Sequence, residues 1–177
     1  MKIQRSLAAC AAFLLVSAFF ICAQIITPQT PLTAAQEGNV IVAKLKDGDS
    51  LFVKLAQISK EYTIQSGVIL FDIGQLRDFS IGQYNPVSKR FVSKSFLTPW
   101  ELVSLQGTIA YGSNDGGLLI NCMATLADSS GCTVAGHLSK GIVSIINEIT
   151  ILKLSNLGLF RRYNVQLGLW ELQILQN

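Results

Sequence analysis

The sequence predicts an α+β domain, mostly antiparallel sheet with one main amphipathic helix. Three observations carry that prediction. Short runs rich in β-branched and aromatic residues follow one another, separated by clusters of Gly, Pro, Asn and Asp. One stretch has clear helical spacing, with Leu51, Leu55, Ile58 and Tyr62 recurring at steps of four, three and four. Asp128-Ser129-Ser130-Gly131 joins two β-like runs: Asp suits the first position of a type I turn, and Gly131 can take the left-handed conformation that a following G1 bulge requires.

The chain opens with Lys2 and Arg5 before an apolar run from Leu7 to Ile26, interrupted by Ser17 and Gln24. A charged start and such a run read as an export signal over residues 1–23, cut after Ile21-Cys22-Ala23, with an uncleaved anchor over residues 7–26 as the alternative. Either way the expected location is exported, periplasmic or extracellular, and contact with a membrane is expected only through this segment. Residues 24–38 are rich in Pro, Thr, Gln and Ala without periodicity and read as a linker, leaving 39–175 as the domain.

Within the domain, Val40 to Lys46 alternates as a strand. Asp47-Gly48-Asp49 then breaks it, and Asp49 is the expected cap of the helix that follows. Val68 to Ile73 reads as a short buried strand. Phe79 to Tyr84 and Arg90 to Phe96 form a hairpin about the Asn85-Pro86 turn. Leu102 to Tyr111 and Leu118 to Leu126 flank a Gly- and Asn-rich loop, and Ile149 to Leu154 and Leu159 to Tyr163 read as further strands. Trp170, Leu172 and Ile174 alternate with polar residues as a half-buried final strand.

The hairpin at Asp128 organises the chemistry. With Asp128 facing Cys132, Met123 falls opposite His137 and Asn121 opposite Ser139, so these four share one face, while Cys122 and Lys140 fall on the other. His137 is the sole histidine. A hydrolase nucleophile such as Ser104 or Ser139 would need that imidazole within hydrogen-bond reach, and two steps along a strand is about 6.6 Å at a rise of about 3.3 Å. Carboxylates for acid–base work would come from the scattered Asp72, Asp78, Glu101 and Glu148. No catalytic constellation and no cofactor follow from these positions.

Cys10 and Cys22 belong to the leader. Cys122 and Cys132 are expected about 20 Å apart along neighbouring strands, beyond disulfide reach. The net charge of +3 includes Lys2 and Arg5; without residues 1–23, 12 basic residues face 11 acidic ones. A domain so close to neutral lacks the electrostatic footprint of a nucleic-acid binder, and the adjacent pairs Lys89-Arg90 and Arg161-Arg162 read as ordinary solvated charges.

Leu126-Ala127-Asp128, the Gly turn, Val134-Ala135-Gly136-His137-Leu138 and Gly141 together resemble the plant and prokaryote conserved domain, PPC or PCC. The resemblance extends to Tyr84-Asn85-Pro86, Phe96, the run from Trp100 to Thr108, and Glu148-Ile149. It implies a homotrimer. It also implies a face on which stand-alone members carry three histidines able to hold a divalent metal; the matching positions here are Asn121, Met123 and His137, so a metal would rest on His137 alone. Glu101 matches an acidic position of the family motif and is expected to cap or pair at a subunit interface. Plant relatives carry DNA-binding AT-hooks before this domain, and none occurs here. Together these features lead to an exported homotrimer acting as a non-catalytic module for a small molecule or another protein. A DNA-binding protein and a metal-binding protein centred on His137 are the alternatives.

Overall fold

The computed structural model describes residues 33–112 and 116–176; the leader and most of the expected linker lie outside them. Nine strands and one helix follow in the order β1 (Ala34–Glu37), β2 (Val40–Lys46), α1 (Leu51–Glu61), β3 (Gly67–Asn85), β4 (Arg90–Phe96), β5 (Trp100–Gly112), β6 (Leu118–Ala127), β7 (Thr133–Lys153), β8 (Leu157–Asn164) and β9 (Leu169–Gln176). Among the described residues the architecture is mostly antiparallel sheet with a single short helix, and the β5–β8 contact is parallel.

β3 pairs with both β5 and β7, and β6 pairs with the same two strands, so β3, β5, β6 and β7 close into a ring. Inward-facing Ile69, Leu76, Phe79, Leu102, Leu105, Ile109, Leu126 and Leu138 are fully buried and fill the core. Phe79 stacks on Phe96 with ring centroids 4.8 Å apart and meets Trp100 edge-on at 5.9 Å. The helix adds Leu51, Leu55 and Ile58 to the same core, against Ile41, Ala43 and Leu45 of β2. Its alternating stripe is therefore a packing face.

The sequence pattern breaks β3 and β7 into shorter pieces, whereas each is one long bent strand, of 19 and 21 residues. The bends are register shifts along their shared ladder, beside positive-φ residues at Gly74 (φ 147°), Asp78 (φ 47°) and Ile145 (φ 71°). Ile145 is β-branched and strained there. Its N–H donates to Oδ1 of Asp47 at 3.2 Å, which ties the bend to the β2–α1 loop.

Three other expectations are corrected. Ala34–Glu37, at the end of the expected linker, is a strand paired antiparallel with β2. Ser50 rather than Asp49 is the N-cap; Asp49 instead accepts from the N–H of Lys46 at 3.0 Å. Finally, β9 lies at the sheet edge with Ile174 64% exposed, so the last strand buries less than its alternation implies.

Candidate functional site

The β6–β7 turn forms as its residues dictate. Oδ1 of Asp128 accepts from the N–H groups of Ser130 and Cys132, both at 2.9 Å, and Gly131 has φ 83°. The Ser130 hydroxyl, which donates to the same oxygen at 2.7 Å, and then these N–H groups hold the Asp128 carboxyl below the usual carboxylate range. The turn fixes the register, with Met123 opposite His137 and Cys122 opposite Leu138. Cys122 is buried and Cys132 exposed, and both are free. Burial pushes the Cys122 thiol up to about 12, so it is a packing residue rather than a nucleophile.

His137 lies between Met123 of β6 and Gly82 of β3. Because Gly82 has no side chain, Phe91 of β4 reaches across it, and its ring lies 4.8 Å from the His137 ring. The imidazole is half-buried, and burial first and then the Arg161 charge hold its pKa below the ordinary value. Met123 points outward and is 57% exposed.

Two hairpins wall this face. The β3–β4 ribbon meets the β8–β9 turn where Tyr84 Oη donates to the Leu167 carbonyl at 2.6 Å. The strand pair β8–β9 lies beside β5, and Arg161 of β8 spans back to it: Nη2 donates to Oγ1 of Thr108 at 2.7 Å, and Nη1 to the Trp170 carbonyl at 2.9 Å. Thr108 is opposite Asn121, so Arg161 is carried to the His137 face. The result is a cavity of about 300 Å³ lined by Phe91, Asn121, His137, Arg161 and Trp170, with Leu119, Ile120 and Leu169 between them. Trp170 is steadied by Tyr163, ring centroids 5.4 Å apart.

Asn121 and His137 thus meet in one cavity, whereas Met123 is beside it and Glu101 is elsewhere. Glu101 is exposed and pairs with Ala127, four steps along β6 from Met123, or about 13 Å at roughly 3.3 Å per residue. Ser139 donates to the Ser80 carbonyl at 3.4 Å and does not engage His137. A second buried polar group sits in the core: Asp72 accepts from Nδ2 of Asn147 at 3.3 Å, its Oδ1 has no partner, and burial raises its pKa to about 7.

A family model for the Plants and Prokaryotes Conserved (PCC) domain matches residues 32–155. The chain belongs to the PCC family. Its fold is similar to that of a proposed DNA-binding protein from Bacteroides thetaiotaomicron, 26% identical with a TM-score of 0.72 over 79% of this chain and 95% of that one. It is also similar to a metal-containing protein from Archaeoglobus fulgidus, 25% identical with a TM-score of 0.69 over 80% and 98% of the two chains. A Pyrococcus horikoshii plant- and prokaryote-conserved protein shares the fold at 23% identity, TM-score 0.68, over 81% and 97%. None of the curated proteins matches the chain.

The three-histidine metal site implied by the PCC resemblance does not fit these residues. Asn121 and Met123 are poor ligands for zinc, Met123 turns to solvent, and no cluster of three His, Cys, Asp or Glu forms among the described residues. The PCC match stops at residue 155, short of Arg161 and Trp170, so two walls of the cavity come from outside the matched segment.

Proposed function

We propose that this PCC protein is a non-catalytic ligand-binding module, exported and assembled as a homotrimer, with the His137 cavity as its binding site. The observation that carries the reading is the cavity itself, which combines aromatic and aliphatic walls with a few convergent polar groups, His137, Asn121 and Arg161. His137 makes no hydrogen bond to any described residue, so its ring nitrogens are available to a ligand. The absence of a second imidazole in the sequence supports binding over acid–base or metal chemistry.

Self-association is supported by the outer face of β2, β7 and β3. Val42 and Phe71 flank Thr150 in one cross-strand row, and Val40 and Ile73 lie in the rows beside it; all four apolar side chains are exposed. Exposed apolar side chains gathered on one sheet face in this way are suited to an interface between identical copies. Replacing Phe71 with Lys on that face is expected to yield monomers.

DNA binding, the role proposed for the Bacteroides relative, is the rival reading. Against it, Arg161 is turned into the cavity and bonded to Thr108 and Trp170, which leaves only Arg162 of that adjacent basic pair on the surface. Native mass spectrometry of protein recovered from cells expressing the full chain tests the proposal. A trimer whose subunits lack residues 1–23 is the expected result, and a monomer or an uncut cytoplasmic product would refute the assembly or the export. Duplex-DNA binding with a steep salt dependence would favour the rival.

A further inference from the structure

Among the described residues, Arg161 is a cation with no counter-charge. It is only 7% exposed, yet neither salt bridge between described residues involves it. Both acceptors it reaches, the Thr108 hydroxyl and the Trp170 carbonyl, are neutral. A guanidinium has five N–H donors and keeps its proton at any physiological pH. Two are used here, and Nε–H is buried without a partner. None of the residues lining the cavity is acidic. An ionised group held like this lacks the pairing that normally offsets its desolvation, and breaking a buried ion pair by removing one partner is strongly destabilising.

Resting on the ligand-binding reading above, we propose that the cavity takes a small carboxylate with an apolar body, and that Arg161 is its anchor. A planar guanidinium matches a carboxylate in a way it matches no neutral group. The aromatic faces of Phe91 and Trp170, with Leu119 and Leu169, provide for the apolar part. Asn121 and His137 supply further donors at the rim. At about 300 Å³ the cavity sits at the small end of ligand sites, which limits the body to roughly one ring or a short branched chain.

Benzoate and benzamide test this directly, since they share a ring and differ in charge. Both are titrated calorimetrically into the full-chain protein at pH 7.5, with the His137 ring protons followed by NMR to place the ligand. Saturable benzoate binding at least tenfold tighter than benzamide is expected. In Arg161→Met, benzoate loses that tenfold advantage while benzamide is unaffected. Should that variant not fold, Asn121→Asp, which sets a carboxylate in the cavity from a partly exposed strand position, is expected to weaken benzoate selectively. Equal affinity for the two probes, or an Arg161→Met protein that still prefers benzoate, would overturn the carboxylate inference while leaving the cavity a binding site. Failure of both probes to bind would overturn the cavity reading and this inference together.

Discussion

Asp72 should make this protein less stable as pH rises from acid to neutral, the reverse of the usual behaviour of a carboxylate. The side chain is fully buried beside a single donor, Asn147, and its pKa is raised to about 7 from an ordinary 3.8. The folded state therefore holds the proton more tightly than the unfolded chain does. The resulting stabilisation is complete below about pH 4, declines as pH rises, and is gone above about pH 7, where folding must bury a carboxylate. A shift of roughly three units at about 1.4 kcal/mol each gives about 4 kcal/mol between the limits. For a domain of this size that corresponds to a Tm change on the order of 10 °C.

His137 acts in the opposite sense: its lowered pKa gives stability that is present above its ordinary value and lost as pH falls through the folded one. The clean measurement is thus the difference between the protein and its Asp72→Asn variant, followed by thermal unfolding from pH 4 to pH 8. The isosteric amide keeps the size and removes the titration. The two proteins should agree near pH 4, and the variant should be more stable by about 4 kcal/mol at pH 8. A difference curve that is flat with pH, or a variant that is less stable at pH 8, would refute the burial argument.

Phe79→Ala removes a fully buried ring stacked on Phe96 and met edge-on by Trp100, and is expected to cost about 3–5 kcal/mol in chemical unfolding, with a loss of near-UV aromatic signal. Gly136→Ala should destabilise by about 1–3 kcal/mol, because the new Cβ would sit 2.6 Å from the Gly82 carbonyl oxygen at a backbone φ of 158°. The loss should appear first at the β6–β7 turn in hydrogen exchange. In Phe91→Ala the ring covering His137 is gone, so the imidazole pKa, measured by NMR titration, should move up toward its ordinary value; no change would mean that the burial comes from elsewhere.

What could be read from the sequence was whatever local chemistry decides. The Asp128 turn is one example: a carboxylate, two N–H donors and a left-handed glycine within five residues set the pairing of Met123 with His137. The helix stripe is another. The continuity of β3 and β7 was not legible, because the bends that keep each strand whole depend on a partner strand. Gly74 clears the Asn147 backbone only because it has no Cβ, and Ile145 keeps its positive φ where its N–H meets Asp47. β1 carries no alternation of its own, and its pairing with β2 defines it.

Arg161 shows where the line falls between the two kinds of information. Read as half of an adjacent basic pair, it passes for a solvated charge, and Arg162 is indeed exposed. Yet period-2 alternation was already available: Leu159 and Arg161 lie on the same side of β8, and Leu159 is the apolar residue a strand buries. Parity therefore placed the guanidinium inward. What parity could not supply is the reason a strand would accept it there, since that depends on the parallel contact that sets Phe160 and Arg161 beside Tyr111 and Gly112 and brings Thr108 within reach. A charge whose alternation points inward, in a segment lacking an acidic residue at matching parity, is a signal for a missing anion. Arg161 satisfies that condition along β8, where every other residue from Leu157 to Asn164 is neutral except the outward Arg162.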